Sequence, residues 1–195
     1  MTRALSIFVV LAFALGCGGP GKAPPAKRPK PKPVAKKDTT VRTDCEPRDP
    51  TKELPPLPFD ERSLDEAENL ANQGYAFLKR AETRGIEQGE RENLITEAVA
   101  RLVTALLADP YNVNATYTLA AAYARIGRAQ CSVNLLSRLV PLRKHSSQRD
   151  KVESKLDRLL GRGDFQGKLD QDFNDLRDDP RFRELVKEFD PGADR

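Results

Sequence analysis

The chain has 195 residues, of which 32% are charged and 38% hydrophobic, a length that allows one folded domain and an additional segment. The net charge of +4 is unevenly distributed, because residues 61–195 hold 22 basic and 23 acidic residues and the positive excess precedes them. A nearly neutral folded region excludes nucleic-acid binding through a basic domain surface.

The first seventeen residues have the pattern of a targeting segment. A short positive start is followed by the run 4–15, which is apolar except at Ser6. About twelve apolar residues are too few to cross a bilayer as a helix, but they match the hydrophobic region of a signal peptide. The run ends at Ala14-Leu15-Gly16-Cys17.

This ending resembles the lipobox of bacterial lipoproteins, in which a small residue precedes an acylated cysteine. Ala14 is a departure from the family, which usually has leucine there. The resemblance implies cleavage after Gly16, lipid on Cys17 and, from Gly18, an outer-membrane destination facing the periplasm. Residues 1–16 are therefore interpreted as a lipoprotein signal peptide. The alternative is an ordinary secretory signal with a cysteine near its end.

Residues 17–60 are predicted to be a lipid-anchored, disordered linker. Eleven of the fifteen prolines lie within 20–58, and apolar residues are nearly absent before Leu54. Such a composition buries too little surface to offset the entropy of ordering. Between Lys22 and Lys37 there are seven basic residues and no acidic residue. The linker is therefore either an inert spacer or a segment that adheres to anionic headgroups or cell-wall polymer.

From residue 61 onward, apolar residues recur at helical spacing and no strand-like alternation is present, which predicts an all-α domain over 61–195. Ser63 and Glu66 form a candidate capping pair for a first helix of about twenty residues, which Gly85 and Gly89 are expected to end. The later helices are predicted at 92–108, 113–126, 129–141, 149–160 and, after a cap at Asp179, from 180 onward.

The stretch 98–139 resembles tetratricopeptide repeats (TPR). The residues that carry the resemblance are Ala98, Leu102, Ala105, Asp109-Pro110, Leu119-Ala120, Tyr123, Gly127, Ser132, Leu136 and Leu139. The resemblance implies a TPR-like antiparallel helical-hairpin array with two repeats and degenerate capping helices. Two departures are Leu139, where the family has alanine, and the long connection over 80–93.

In this family the first helix of each repeat lines a concave face that binds extended or helical peptides. Carried onto this chain, the predicted binding face consists of Asn72, Tyr75, Asn114, Tyr117, Thr118, Ala121 and Arg125. Tyr117 and Ala121 replace the lysine and asparagine of chaperone-binding relatives, so that mode of binding is not expected. A solvated face without a ligand is the alternative.

No catalytic residue, metal site or cofactor site is predicted. The single histidine, His145, lies in a polar loop, and neither a nucleophile elbow nor a phosphate-binding glycine loop is present. Cys45 and Cys131 are a possible disulfide in an oxidising periplasm, with two unpaired thiols as the alternative.

These patterns predict a membrane-anchored adaptor that is not an enzyme. Its expected contacts are a protein or peptide partner in the envelope and the membrane through its lipid, with no nucleic acid. The alternative is an envelope spacer, in which the basic linker binds anionic cell wall or lipid and the repeats are an inert cap.

Overall fold

The computed structural model describes residues 63–165 and 167–190, and within these ranges all regular structure is helical, which confirms the all-α prediction. The helices are α1 (Leu64–Ala81), α2 (Gln88–Ala108), α3 (Val113–Arg125), α4 (Ala129–Ser137), α5 (Leu139–Arg143), α6 (Arg149–Leu160) and α7 (Pro180–Phe189). Two 3₁₀-helical turns, Gly163–Phe165 and Gln171–Leu176, lie between α6 and α7. The predicted signal peptide and linker, with Cys17 and Cys45, lie outside the described residues. None of the described helices is long and apolar enough to span a bilayer.

α1 and α2 form an antiparallel hairpin, because each carries one stripe of small and apolar side chains. The stripe of α1 is buried at Ala67, Ala71, Gly74, Leu78 and Ala81. The stripe of α2 is buried at Leu94, Ala98, Leu102 and Ala105. The backbone N–H of Ser63 donates to the carbonyl of Ala108 at 3.1 Å, so the start of α1 meets the end of α2.

Gly74 allows the two helices of this hairpin to approach closely. A Cβ atom at this position would lie 2.5 Å from Cγ of Leu102 and 3.2 Å from the carbonyl oxygen of Ala98. Both distances are shorter than an ordinary contact between carbon atoms, or between carbon and oxygen. A residue without a side chain is therefore required where α1 crosses the middle of α2.

Two predicted features of the hairpin are wrong in detail. Ser63 lies at the N-cap of α1, but its side chain makes no capping hydrogen bond. Its carbonyl instead accepts from the backbone N–H of Ala67 at 2.9 Å. α2 begins at Gln88 rather than at residue 92, so Gly89 lies in its first turn and only Gly85 lies in the loop. The exposed first turn tolerates Gly89, because its helical cost of about 1 kcal/mol is small.

α3 is the central helix of the described region, with eleven of its thirteen residues buried. It contacts α1, α2, α4, α6 and the turn 171–176. The side chain of Asn112 caps its start by accepting from the N–H of Ala115 at 2.8 Å. In α4, the hydroxyl of Ser132 donates to the carbonyl of Ala120 at 2.8 Å. This small residue lets α4 pack closely on α3.

The predicted fourth helix, 129–141, is divided into two. α4 ends at Ser137 and α5 begins at Leu139. Pro141 has no N–H to donate to the carbonyl of Ser137, and its ring would clash with that carbonyl in a continuous helix. The chain therefore turns at Arg138 and continues only as the short α5.

α6 ends at Gly161, as predicted, with φ of +67°. The N–H of Arg162 donates to the carbonyl of Asp157 at 2.7 Å and closes the last turn. A Cβ atom on Gly161 would lie 2.8 Å from the backbone of Gly167 and of Lys168. The chain therefore folds back across the end of α6 at a point where no side chain fits.

α7 begins with the predicted cap. The Oδ1 atom of Asp179 accepts from the N–H of Arg181 at 2.9 Å, with Pro180 at the first helical position. Phe182, Leu185 and Phe189 form its buried face. α7 packs against α4, so the last helix returns to the middle of the fold.

Candidate functional site

The structure divides the predicted binding face into an exposed part and a covered part. Asn72 and Tyr75, on α1, are exposed. The residues of α3 are buried or half-buried: Asn114, Tyr117, Thr118, Ala121 and Arg125. The amide of Asn114 donates to the carboxylate of Glu68. The seven residues therefore do not form one open surface.

The chain itself covers the α3 part of this face. The covering segment, defined as residues 167–176, lies against α3 beside α6. The phenol of Tyr117 donates to Oδ2 of Asp170 at 2.8 Å. The ring of Phe173 meets the ring of Tyr117 edge to face, with centroids 5.5 Å apart. As a result, Tyr117 is only 3% exposed.

Asp170 is the buried charge at the centre of this contact. Besides the phenol of Tyr117, its carboxylate accepts from Nε of Arg158 at 2.7 Å and from the backbone N–H of Asp172 at 3.1 Å. These partners offset the cost of removing a carboxylate from water. Burial and, next, the charge of Asp170 raise the pKa of Tyr117 above its ordinary value, so the phenol stays protonated and remains the donor.

Arg125 binds the covering segment at a second point. Its guanidinium pairs with Asp172 and with Glu82, which follows α1, and donates to the carbonyl of Leu78 at 3.3 Å. Burial acts to raise the pKa of Glu82, but the hydrogen bonds and charges of Arg125 and Lys79 together outweigh it, so the pKa of Glu82 is lowered. Arg125 therefore joins α1, α3 and the covering segment.

The space left at the predicted face is small. It is a cavity of about 20 Å³, lined by Tyr75, Leu78, Glu82, Tyr117, Thr118, Ala121, Arg125, Lys155, Arg158 and Asp172. Such a volume holds about one water molecule and no peptide side chain. Peptide binding by these seven residues stays a prediction. A peptide reaches the residues of α3 only when the covering segment moves away from them.

A larger opening lies between α6, the covering segment and α7. This apolar groove has a volume of about 310 Å³ and is lined by Leu159, Leu160, Leu169, Asp170, Phe173, Arg177, Phe182, Arg183, Val186 and Lys187. Six of these ten side chains are apolar and three are basic. The groove offers a hydrophobic floor and cationic groups, which is a chemistry suited to binding.

Part of the groove has a signal in the sequence. Phe182 and Val186 are on the predicted apolar face of α7, one helical turn apart. Arg183 and Lys187 each follow one residue later, so a basic stripe runs beside the apolar one. These adjacent apolar and basic stripes on α7 are the sequence signal that indicates the groove. The other wall could not be found, because Leu169 lies in a segment without helical periodicity.

Cys131, at the start of α4, is disulfide-bonded and 9% exposed. Its partner lies outside the described residues, and so do the other two cysteines, Cys17 and Cys45. The pairing of Cys131 with Cys45 stays a prediction.

His145 is exposed, and its Nδ1 lies 3.1 Å from Oγ of Ser147. Within 63–165 and 167–190, no three His, Cys, Asp or Glu side chains are grouped so as to hold a metal ion.

No protein-family model matches the chain, and comparisons with curated proteins and with solved structures give no significant match.

Proposed function

We propose that the chain is a lipid-anchored adaptor of the bacterial envelope that binds a segment of a partner protein in the apolar groove. The groove is the observation that carries this proposal. It combines six apolar side chains with a basic rim, and Leu169 at its edge is 41% exposed. Open apolar clefts rimmed by polar groups are typical of protein-interaction sites.

We further propose that α1–α4 are two TPR-like repeats and that the helices after α4 form a degenerate cap. The support is the burial of the small and bulky residues at the repeat positions: Ala98, Leu102, Ala105, Leu119, Ala120, Ser132, Leu136 and Leu139. The peptide-binding face usual for such repeats is occupied here by the covering segment. The proposal therefore assigns partner binding to the groove at the cap.

The proposed anchor is lipid on Cys17 at the outer membrane, with residues 17–60 as the linker to the helical domain. The basis is the sequence Ala14-Leu15-Gly16-Cys17 and the apolar run before it. Replacing Cys17 by serine is expected to release the protein from the membrane fraction and to remove the acyl mass. Unchanged fractionation of Cys17→Ser, with no acyl group on the wild type, would contradict the anchor.

The adaptor function is tested by photo-crosslinking in living cells. A photoreactive amino acid is placed at Leu169, at the edge of the groove, or at Leu107, which is 60% exposed on α2 and does not line the groove. The expected result is a discrete protein adduct from position 169 and none from position 107. The absence of an adduct at 169, or the same adduct at both positions, would contradict the proposal.

The spacer alternative predicts different behaviour in the same cells. Retention by the envelope would then depend on residues 22–37 and be lost at high salt, because it rests on exposed charges. Deleting 22–37 separates the two functions, since the adaptor retains its adduct at position 169 and the spacer loses its binding.

A further inference from the structure

We infer that the occupant of the apolar groove is an acidic amphipathic helix of the partner, whose carboxylates pair with Arg177 and Arg183. This inference rests on the proposed adaptor function and specifies the chemistry of the partner. The apolar side chains of the helix would lie on the groove floor.

The floor of the groove rests on two packed aromatic rings. Phe173 and Phe182 are 1% and 7% exposed, and their rings stack with centroids 6.2 Å apart and planes 16° apart. Leu160 and Val186 are partly exposed and Leu169 is exposed beside them. The accessible apolar surface of the groove is therefore made up of Leu160, Leu169 and Val186, and the packed rings beneath it hold it preformed, so a partner can cover it without first ordering it.

The charge of the rim selects for an acidic partner. Arg177, Arg183 and Lys187 line the groove, and among the described residues Asp170 is the one acidic residue in its lining. The carboxylate of Asp170 is already engaged by Arg158 and Tyr117, and its side chain is 4% exposed. It therefore does not neutralise the rim.

The two guanidinium groups of the rim have no carboxylate partner among the described residues. Arg183 donates to the neutral backbone carbonyl of Asp178 at 3.3 Å. Within the described part of the chain, no carboxylate is within ion-pair distance of Arg177 or Arg183, and both are exposed. By contrast, Arg125, Arg143, Arg158, Arg162 and Arg181 each pair with a carboxylate. A guanidinium presents a fork of donors that fits a carboxylate, so Arg177 and Arg183 are suited to receive two of them.

The spacing of the basic stripe on α7 favours a helical partner. Arg183 and Lys187 are four residues apart, so they lie on the same side of α7 with Cβ atoms about 6 Å apart. An amphipathic partner helix with glutamates beside its apolar face presents the complementary arrangement to Arg183 and the neighbouring apolar side chains of α7. Glu184 lies about 100° around the helix axis from Arg183 and three residues before Lys187, so it borders the basic stripe on the side away from Phe182 and Val186.

The test measures binding of a dye-labelled synthetic helix to the full mature chain in neutral detergent. The probe has about sixteen residues, long enough to form a helix, with leucines along one face and glutamates beside them. Matched probes replace the glutamates by lysine or the leucines by serine. The acidic probe is expected to bind at least about tenfold more tightly than either matched probe. Equal binding of the glutamate and lysine probes would overturn the inference.

Charge reversal at the groove tests whether the probe binds there. Arg177→Glu combined with Arg183→Glu is expected to weaken the binding of the acidic probe at least about tenfold. The lysine probe should then bind more tightly than the acidic one. The control is Arg149→Glu with Lys151→Glu, which makes the same charge change on exposed residues of the first turn of α6, outside the groove. Acidic residues are tolerated there, so the control should bind as the wild type does. An unchanged affinity in the groove variant would overturn the inference.

The same probes, variants and crosslinking positions distinguish other occupants of the groove. They also separate a failure of the acidic partner from a failure of the adaptor function. A concentration-dependent dimer that the reversal variant abolishes would identify a second copy of the chain as the occupant and overturn the inference. If position 169 forms a protein adduct in cells but the acidic probe does not bind, the adaptor stands and the acidic partner fails. If position 169 forms no adduct, the adaptor itself fails.

Discussion

The phenol of Tyr117 donates a 2.8 Å hydrogen bond to the carboxylate of Asp170, which lies 53 residues further along the chain. The same carboxylate accepts from Arg158 of α6. A residue predicted to contact a partner therefore holds the covering segment on α3 instead.

Removing this hydroxyl is expected to weaken the fold moderately. Tyr117→Phe leaves Asp170 paired with Arg158, so the free energy of unfolding should fall by about 1 kcal/mol. Asp170→Ala should cost more, about 2–3 kcal/mol, because it leaves the partly buried Arg158 and the phenol without their acceptor. Urea unfolding at pH 7 measures both variants. A Tyr117→Phe protein as stable as the wild type would contradict this role.

Gly74 and Gly89 are both helical glycines, and alanine should have opposite effects at the two positions. Gly74→Ala forces a Cβ atom into Leu102, so we expect a loss of about 1–3 kcal/mol. Gly89→Ala meets nothing within 4 Å and should stabilise the protein by about 0.5–1 kcal/mol. Thermal unfolding of the pair provides the comparison. Equal effects of the two substitutions on stability would show that the hairpin does not depend on the close approach of α1 and α2.

Gly161 and Gly163 form a second matched pair. Both have positive φ, but only at Gly161 would a Cβ atom meet the backbone of residues 167 and 168. Gly163→Ala should therefore cost about 1–2 kcal/mol from its backbone conformation alone, and Gly161→Ala more than that. Hydrogen exchange over 167–176 should accelerate in Gly161→Ala and change little in Gly163→Ala. The reverse order would contradict the fold-back described at the end of α6.

The cap of α7 should depend on pH. The hydrogen bond from Arg181 lowers the pKa of Asp179 from 3.8 to about 2. Because the folded pKa is the lower one, the contribution of Asp179 is fully present above about pH 4–5 and is lost as the pH falls through 2. Asp179→Ala should cost about 1 kcal/mol at pH 7 and progressively less below pH 4. Denaturant unfolding at several pH values checks this, and a cost that does not change with pH would contradict it.

The partner of Cys131 can be identified by peptide mapping without reduction. We expect a cross-linked peptide joining Cys45 and Cys131, with Cys45→Ser leaving a free thiol at Cys131 and Cys17→Ser leaving the bond intact. A peptide joining Cys17 and Cys131 would contradict two proposals at once, since a cysteine in a disulfide cannot also carry a thioether-linked lipid.

The helices were predictable because their determinants are local. Apolar spacing located every long helix, and Gly161 and Asp179 marked boundaries that the structure retains. The break before Pro141 has no sequence signal in the apolar pattern, because apolar residues continue through it. Gly89 does not end the helix, because an exposed first turn tolerates glycine.

The candidate site was less predictable because it depends on contacts between distant parts of the chain. No local pattern indicates that Asp170 and Asp172 reach Tyr117 and Arg125. Each of these contacts satisfies a polar or charged group that is costly to bury alone. The need for a partner at each group depends on which residues meet in the fold, so it is seen only in the structure.

Asp170 and Phe173 belong to two surfaces at once, since both line the apolar groove and both contact Tyr117. By thermodynamic linkage, a ligand that binds the groove more tightly when these residues are docked on Tyr117 must strengthen that docking by the same factor. Tyr117→Phe changes no side chain of the groove lining, yet it should raise the dissociation constant there by the factor by which it lowers the docked population. A buried tyrosine would thus contribute to the affinity for a ligand that it never touches.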